Sequence, residues 1–441
     1  MILTPTMTGI ATPSPLQYAF SAKRAPHARR PGTPLLLDGA SREASWQQVS
    51  QASERALYLH IPFCRKRCSF CNFFENGANP ARMEVYVTAL CEEIKRRADT
   101  PFAQSRPFNA VYLGGGTPTD MTADQIGRVL EALRRFPLVP DAEVTLEGRL
   151  NGFDDEKWQA ALDGGVNRFS FGVQSFDSRV RLAAGRLDER EAVLARLQTL
   201  SDRNRAVVVA DLIFGLPWQS HASWAQDLDD LMASRVHGVD LYQLIGLPGN
   251  NLERFNASGR QPEGLPSAER ALMYRFGAER LEGAGWERLS CCHWRRDGRE
   301  QSRYNRLAKS GAEILPFGAG AGGSYQGMGV MNGRDLNAWH QALSAGVPVP
   351  AMMMGQGPND ARLGRVRGAL DQGLLPWAIL PEPWRASLAT LFARWQEHGL
   401  ARVGEEGVSL TLAGRFWTVN LQAGLLEFLD AERQAALGEA G

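Results

Sequence analysis

The sequence predicts an α/β fold, a partial (β/α)6 TIM-like barrel with a small C-terminal winged-helix-like domain, and three observations carry that expectation. Short, near-continuous apolar runs alternate with helical segments from residue 56 to about residue 285, the pattern of a parallel sheet covered by crossover helices. Chemistry-bearing residues fall at the carboxyl ends of those runs, where barrels of this kind gather their sites. Beyond residue 358 the spacing changes to helix, hairpin and helix.

The apolar runs are Ala56–Ile61, Ala110–Gly114, Glu143–Glu147, Arg168–Gly172, Val207–Phe214 and Val239–Ile245. Between and after them lie the helical stretches Arg82–Arg97, Ala123–Phe136, Glu156–Leu162, Glu189–Leu200, Ser223–Ala233 and Ser267–Glu282. A chain of 441 residues exceeds one ordinary domain. The expected division is an N-terminal arm or lid (1–50), the core barrel (51–285), an irregular substrate-side extension (286–355) and the C-terminal helical, winged-helix-like domain (356–441). With 49 basic and 48 acidic residues the net charge is +1, which gives no electrostatic case for nucleic acid or an acidic membrane as the main partner. Six cysteines, three of them clustered, are no secreted disulfide framework and suit a reducing cytoplasm, the expected location. The N-terminus lacks the basic start and apolar block of a signal peptide. No uninterrupted apolar run reaches the roughly 18 residues that a bilayer span needs.

Residues 1 to about 50 are rich in Pro, Ala and Ser and carry a basic patch from Lys23 to Arg30. That composition predicts a loosely held arm. The alternative is a lid over the barrel mouth whose Arg24, Arg29 or Arg30 meets substrate carboxylates. After the first strand comes Cys64-Arg-Lys-Arg-Cys68-Ser-Phe-Cys71. Three thiolates on one short loop hold three corners of a cubic iron–sulfur cluster and leave the fourth iron open to a substrate or cofactor. Structural zinc wants four ligands, and no fourth Cys or His lies near. The expected metal centre is one 4Fe–4S cluster on Cys64, Cys68 and Cys71.

The second strand ends in Gly114-Gly115-Gly116-Thr117-Pro118-Thr119, a turn that lets a ligand approach the backbone but lacks the lysine of a phosphate loop. Glu147 ends the third strand. The fourth ends in Gly172-Val-Gln174-Ser-Phe176, with Arg186 following, and the fifth carries Asp211 in an otherwise apolar run before Gly215-Leu-Pro217. Burying an unpaired carboxylate is costly, so Asp211 requires a partner or a ligand. Each such residue alone is more often structural. Polar groups at successive strand ends point to a site.

Together, Tyr58-x-His-Ile-Pro-Phe-Cys64 with its cysteine triplet, Gly-Gly-Gly-Thr-Pro-Thr, Gly-Val-Gln-Ser-Phe and Asp-Leu-Ile-Phe-Gly-Leu-Pro resemble one family over about residues 50 to 430. It is the coproporphyrinogen-dehydrogenase-like branch of the radical S-adenosylmethionine (radical SAM) enzymes. The resemblance implies that SAM binds the open iron through its amine and carboxylate, and that one electron cleaves it to a 5′-deoxyadenosyl radical. A low-potential electron donor such as flavodoxin or ferredoxin is implied as partner. Residue by residue, the implied SAM contacts are Tyr58, Phe70, Gly115, Gly116, Thr117, Glu147, Gln174, Arg186 and Asp211. This branch can hold two SAM molecules per active site. Its Ala near the sixth strand is Ile245 here, a departure that could reshape the second SAM site.

Between residues 286 and 345 the sequence turns irregular. Within Cys291-Cys292-His293-Trp294-Arg295-Arg296, Cys292 and His293 are the candidate catalytic residues, as axial haem ligand or as hydrogen or proton donor, against the default of a satisfied core pair. The small-residue run from Pro316 to Tyr325 suits close approach to a flat ligand or an adenosyl group. His340 reads as structural, and Met352-Met353-Met354 as core or as an adaptable apolar pocket. In the C-terminal domain, Trp384, Leu388, Leu391, Phe392 and Trp395 follow helical spacing to Gly399. The hairpin Ala401–Val403 and Val408–Leu410 then precedes a helix through Phe416, Leu421, Leu425 and Phe428. Its tip carries Glu405 and Glu406, which repel DNA, so this domain is expected to cover substrate or to pack.

Oxygen-independent coproporphyrinogen dehydrogenases place another Cys two positions after the triplet, where this chain has Asn72-Phe73-Phe74. That aromatic pair, the Cys292-His293-Trp294 stretch, the Gly-Ala-Gly-Ala-Gly-Gly run and Asn332-Gly-Arg-Asp-Leu are more similar to the anaerobic haem-degrading radical SAM methyltransferases, the anaerobilin synthases. The resemblance implies haem or a related tetrapyrrole as substrate. A methyl group would pass from one SAM through a radical made from the other, opening the macrocycle and releasing iron without oxygen. The alternatives are a coproporphyrinogen dehydrogenase and a non-catalytic haem chaperone of the same fold.

Overall fold

A computed structural model describes residues 3–24, 33–34, 39–71, 76–246, 251–357 and 359–438. The alternating runs form parallel strands β1 (Arg55–Ile61), β2 (Phe108–Gly115), β3 (Leu138–Gly148), β4 (Arg168–Gln174), β5 (Val207–Phe214) and β6 (Gly238–Gln243), adjacent in chain order. The crossover helices are α1 (Pro80–Ala98), α2 (Ala123–Leu133), α3 (Asp155–Asp163), α4 (Arg190–Asp202) and α5 (His221–Ala233), and α6 (Ser267–Gly283) follows β6. Their starts obey capping chemistry: Asn79 caps α1, Asp154 caps α3, and Thr122 with Gln125 forms a reciprocal capping box on α2.

Alternation along the strands divides the sheet into two faces. Leu57, Leu59, Leu113, Leu146, Phe169, Phe171 and Leu212 are buried in the main apolar core. Their alternates, Tyr58, His60, Tyr112, Glu147, Ser170, Asp211 and Asp240, line the other face, which is the barrel interior.

Residues 286–355, expected to be irregular, instead extend this sheet at both edges. Strand β7 (His293–Arg295) runs antiparallel beside β6. Strand β8 (Glu313–Phe317) joins β1 in parallel and continues into the antiparallel β9 (Gly322–Tyr325), β10 (Met328–Asn332) and β11 (Ala351–Gly355). The run Ile314-Leu-Pro-Phe317 is too short and too interrupted by Pro316 for periodicity to declare it. The free edge of β1 makes it a strand. Between β7 and β8, helix α7 (Arg303–Ser310) lies on the inner face, its Arg303 and Tyr304 N–H groups donating to Glu143 of β3 at 2.7 and 3.0 Å.

The small-residue run after β8 also departs from expectation. Gly318 N–H donates to Glu93, Ala319 N–H donates to the Tyr86 hydroxyl, and Ala319 and Ala321 are fully buried. At Gly323 an added Cβ would stand 2.2 Å from the Ile314 carbonyl oxygen. These positions are small so that backbone can meet backbone, and the packing is with protein. Asn332 likewise bridges Arg42 and the Gly318 carbonyl. Of the methionine triplet only Met353 joins the main core, while Met352 is exposed, as alternation along β11 requires. His340 is exposed beside buried Trp339.

At the C-terminal end, α8 (Asp360–Gln372), β12 (Leu374–Pro376), α9 (Glu382–Glu397), β13 (Ala401–Val403), β14 (Gly407–Leu410) and α10 (Thr418–Gly438) surround a three-stranded sheet in the order β12-β14-β13. This is the winged-helix arrangement. Leu388, Leu391, Phe392 and Trp395 are buried as their spacing predicts.

The N-terminal arm is not loosely held over residues 3–24. Met7, Ala19 and Phe20 are buried, the Trp395 indole N–H donates to the Met7 carbonyl, and the Trp417 indole N–H donates to the Pro15 and Leu16 carbonyls. A few well-placed apolar groups and two buried indoles outweigh a composition that reads as disordered. Arg24, a candidate lid residue, pairs with Glu427, and its backbone N–H donates to the Asn420 side-chain oxygen, so it packs towards α10. Arg29 and Arg30 lie outside the described residues, as do Asn72, Phe73 and Phe74. Among the described residues no helix is long and apolar enough to cross a membrane.

Candidate active site

The cysteine loop leaves β1 through a two-residue bridge, Phe63–Cys64 paired with Asn76–Gly77, which fixes where the loop starts and returns. Arg65 ties it to Asp120 through its backbone N–H at 3.0 Å and its Nε at 2.6 Å. Cys64 and Cys68 are buried and Cys71 is half-buried. Three donors reach the sulfurs: Thr117 Oγ1 stands 3.3 Å from Cys64 Sγ, and Arg149 Nη2 and Arg186 Nη1 stand 3.2 and 3.3 Å from Cys68 Sγ. Burial pushes the Cys64 thiol up, and the Thr117 hydroxyl and Arg149 oppose it. Sulfurs that accept hydrogen bonds from guanidinium groups are in a thiolate environment, the form an iron–sulfur cluster requires. The residues therefore fit a 4Fe–4S cluster.

The glycine turn is pressed against this loop. At Gly116 an added Cβ would stand 2.5 Å from the Phe63 carbonyl oxygen, and at Gly115, where φ is +109°, it would strike the His60 ring at 2.7 Å. Only glycine permits both approaches. The other implied contacts line the interior beside it. Tyr58 stacks in a layer with Tyr112 and Tyr304, and its hydroxyl lies 2.8 Å from His60 Nδ1. Burial pushes Glu147 up to about 6 against the pull of Tyr112, Arg168 and Arg186. Burial and the facing Asp240 and Glu147 raise Asp211 well above the carboxylate range. The partner that the sequence demanded for Asp211 is Ser170, whose hydroxyl donates at 3.1 Å. Gln174 has φ +73°, rare for a residue other than glycine, and among the described residues its buried Oε1 has no hydrogen-bond partner. Phe70 packs on Val180, Ile213, Leu216, Leu244 and Leu252, an apolar wall. A buried amide oxygen without a donor among the described residues, together with buried Glu147 and Asp211 whose pKa values burial raises, fits a ligand with ammonium and hydroxyl groups such as SAM.

Half of the Gly-Val-Gln-Ser-Phe motif is structural. The Ser175 hydroxyl and the Phe176 N–H donate to buried Asp227, which anchors the turn after β4 to α5.

At the β6 edge Cys292 and His293 meet different partners. His293 is 2% exposed, with Nδ1 2.9 Å from Asp240 Oδ2 and Nε2 3.3 Å from Glu300 Oε1, close enough for ion pairs although not aligned as hydrogen bonds. Burial pulls its pKa down, but Asp240 and Glu300 outweigh it and lift it to about 10. Two carboxylates within 3.3 Å of its ring nitrogens favour the imidazolium, a form with no free lone pair to offer a metal. The folded pKa exceeds the unfolded value of about 6.5, so this pair stabilises fully below about pH 6.5 and is lost as pH rises towards 10. The His293 ring C–H shifts are expected to stay constant from about pH 6 to 8 in NMR spectra. A midpoint near 6.5 would contradict the ion-paired imidazolium.

Cys292 Sγ lies 3.6 Å from Asp240 Oδ1, towards the interior, whereas Cys291 Sγ donates to Asp371 at 3.0 Å, and Asp371 pairs with Lys309 at 2.9 Å. The hydrogen bond from its neighbour, aided by Lys309, lowers the Cys292 pKa, and Cys291 is pushed up. Cys292 is thus the barrel-side thiol of the pair.

Sequence reasoning missed Arg149, Tyr112, Tyr304 and Asp240. Asp240 was open to the argument used for Asp211, a carboxylate in an apolar strand, and Arg149 stands two residues past Glu147. Tyr304 gave no local signal, because Glu143 on another strand sets the position of its helix.

A profile of the radical SAM superfamily matches residues 58–231. The chain is 38% identical over 424 residues to the anaerobilin synthase of Escherichia coli O157:H7, covering 95% of this chain and 94% of that protein. It is 29% identical over 361 residues to the heme chaperone HemW of Synechocystis, covering 78% and 84%. The solved structure of the coproporphyrinogen III oxidase HemN from Escherichia coli superposes with a TM-score of 0.76 over 95% of this chain and 99% of that one, at 21% identity.

Proposed function

The chain belongs to the radical SAM superfamily, and on that premise we propose that it is a methyltransferase that opens haem anaerobically, releasing iron and a linear methylated tetrapyrrole. The observation that carries this reading is the 38% identity to an anaerobilin synthase, because it runs through 95% of the chain and so includes the arm and the winged helix beside the barrel. When bound, a 4Fe–4S cluster and SAM supply one-electron cleavage of a sulfonium.

Cys64, Cys68 and Cys71 would hold the cluster, with Thr117 donating to the Cys64 sulfur and Arg149 and Arg186 to the Cys68 sulfur. Gly115, Gly116, Glu147, Gln174 and Asp211 would bind and orient SAM, and Phe70 would exclude water from one side. Two SAM molecules fit the two groups of acceptors, one around Glu147 and Gln174 near the cysteine loop and one around Asp211 and Asp240 at β5 and β6. Cys292 is the proposed hydrogen donor to the substrate. Asp240, held ionised by His293, orients its thiol. Exposed Arg65, Lys66 and Arg67 give the loop a positive face, suited to a low-potential donor such as flavodoxin or ferredoxin with an acidic contact surface. The reducing cytoplasm is the proposed location.

The test is one anaerobic reaction of the reconstituted protein with SAM, haem and a strong reductant, read by mass spectrometry. A linear methylated tetrapyrrole is expected. Haem binding without a SAM-dependent product would point to a chaperone, and SAM-dependent decarboxylation of coproporphyrinogen would point to a dehydrogenase. Either result would overturn the reading.

A further inference from the structure

Lys23 ends the packed part of the arm where arm, winged helix and barrel meet. Its Nζ stands 4.6 Å from the centroid of the Phe416 ring, that ring packs at 5.5 Å on Tyr274 of α6, one turn along from Arg270, and the Tyr274 hydroxyl donates to the Cys291 carbonyl. Arg270 rises from the start of α6, and its Nη1 donates to the Leu244 carbonyl just past β6 at 2.6 Å. Its stem crosses Gly215, just past β5, so closely that an added Cβ there would stand 2.6 Å from Arg270 Cγ. Among the described residues the buried Nε of Arg270 has no hydrogen-bond partner. Arg270 therefore lies at the carboxyl ends of β5 and β6, and Lys23 approaches the same helix from the far side of the Phe416 and Tyr274 rings.

Among the described residues no carboxylate pairs with either group. Three other cations each have a carboxylate: Arg55 has Glu313, Arg168 has Glu300, and Lys309 has Asp371. The two carboxylates near the thiols are already engaged, Asp371 by Lys309 and Asp240 by His293. Two neighbouring cations partly withdrawn from water repel each other and call for a counter-ion. Burial depresses Lys23 to about 8, opposed by the two cysteines and reinforced by Arg270.

We propose that Lys23 and Arg270 form a carboxylate-binding subsite that holds a propionate of the tetrapyrrole substrate, the arm supplying one of its two cations. This rests on the tetrapyrrole reading above and adds how the substrate is oriented: a propionate clamped at the β5–β6 edge sets which side of the macrocycle meets Cys292. SAM also carries a carboxylate, so the test separates the two sources.

The anaerobically reconstituted full-length protein, without reductant, is titrated with haem and with haem dimethyl ester, reading quenching of tryptophan fluorescence. The diester keeps the ring and lacks the charges. The wild type is expected to prefer the diacid. Lys23→Met and Arg270→Gln are each expected to weaken diacid binding about tenfold and leave diester binding unchanged, and Lys23→Arg is expected to restore the preference. An unchanged preference in both folded variants would overturn the subsite. Weaker SAM binding with the haem preference intact would assign the cations to SAM and also overturn it. Failure of the wild type to bind either porphyrin would remove the tetrapyrrole reading together with the subsite, whereas an unchanged preference removes the subsite alone.

Discussion

Cys68→Ala is expected to abolish the cluster and, with it, SAM-dependent formation of 5′-deoxyadenosine. Of the three cysteines, Cys68 is the one whose sulfur meets two guanidinium groups, Arg149 and Arg186. Its removal leaves two cluster ligands on the loop and two cations aimed at a methyl group. Iron content and visible absorbance of the reconstituted variant should fall to the level of a protein with all three cysteines replaced. Arg149→Ala provides the graded control. It removes one hydrogen bond to the same sulfur and should cost about 10–100-fold in cluster affinity or activity. A Cys68→Ala protein that retains the cluster and still forms deoxyadenosine would refute the metal-centre assignment.

The largest expected effect on stability is at Arg168. Its Nε lies 2.9 Å from Glu300 Oε2 and 3.9 Å from Glu143 Oε2, and both its side chain and that of Glu300 are essentially inaccessible. Glu300 in turn accepts the Ser302 N–H and stands beside His293, while Glu143 caps α7. Burial opposes the charge on Glu300, but Arg168 and His293 hold its carboxyl down at about 2. Arg168→Met leaves two buried carboxylates with one fewer cation, which should cost about 3–5 kcal/mol in denaturant unfolding. Because α7 carries Tyr304 onto Tyr58 and Tyr112, the loosening should reach the interior layer as well. The double variant Arg168→Met with Glu300→Leu should recover much of the loss, since an apolar replacement of a whole buried pair is often neutral. A single-variant loss below about 1 kcal/mol would show that the network is not what holds α7 in place.

Much of this molecule is legible in its sequence, for identifiable reasons. The strand and helix alternation is local, carried by residues a few positions apart. So is the cysteine spacing, which places three thiolates on one loop wherever that loop ends up. Glu147, Gln174 and Asp211 are recognisable because a polar group at the end of an apolar strand is costly to bury unless a partner or a ligand meets it. Asp240 satisfies the same rule, and His293 meets it there only because β7 runs antiparallel to β6.

What remained hidden depends on contacts between distant segments. A run containing Pro316 becomes a strand because β1 has a free edge. An arm with disordered composition becomes ordered because Trp395 and Trp417 need acceptors that it provides. His293 is a buried cation because Asp240 and Glu300 approach from other elements, and Lys23 meets the Phe416 ring only because the arm packs on the C-terminal domain. The sequence by itself determined the alternating α/β architecture and the cysteine loop with its radical SAM character, because periodicity and short spacings are local properties of a chain. The tertiary structure alone decided which charges are paired, which thiol faces the interior and which cations lack a counter-ion, because electrostatic pairing depends on distance in space.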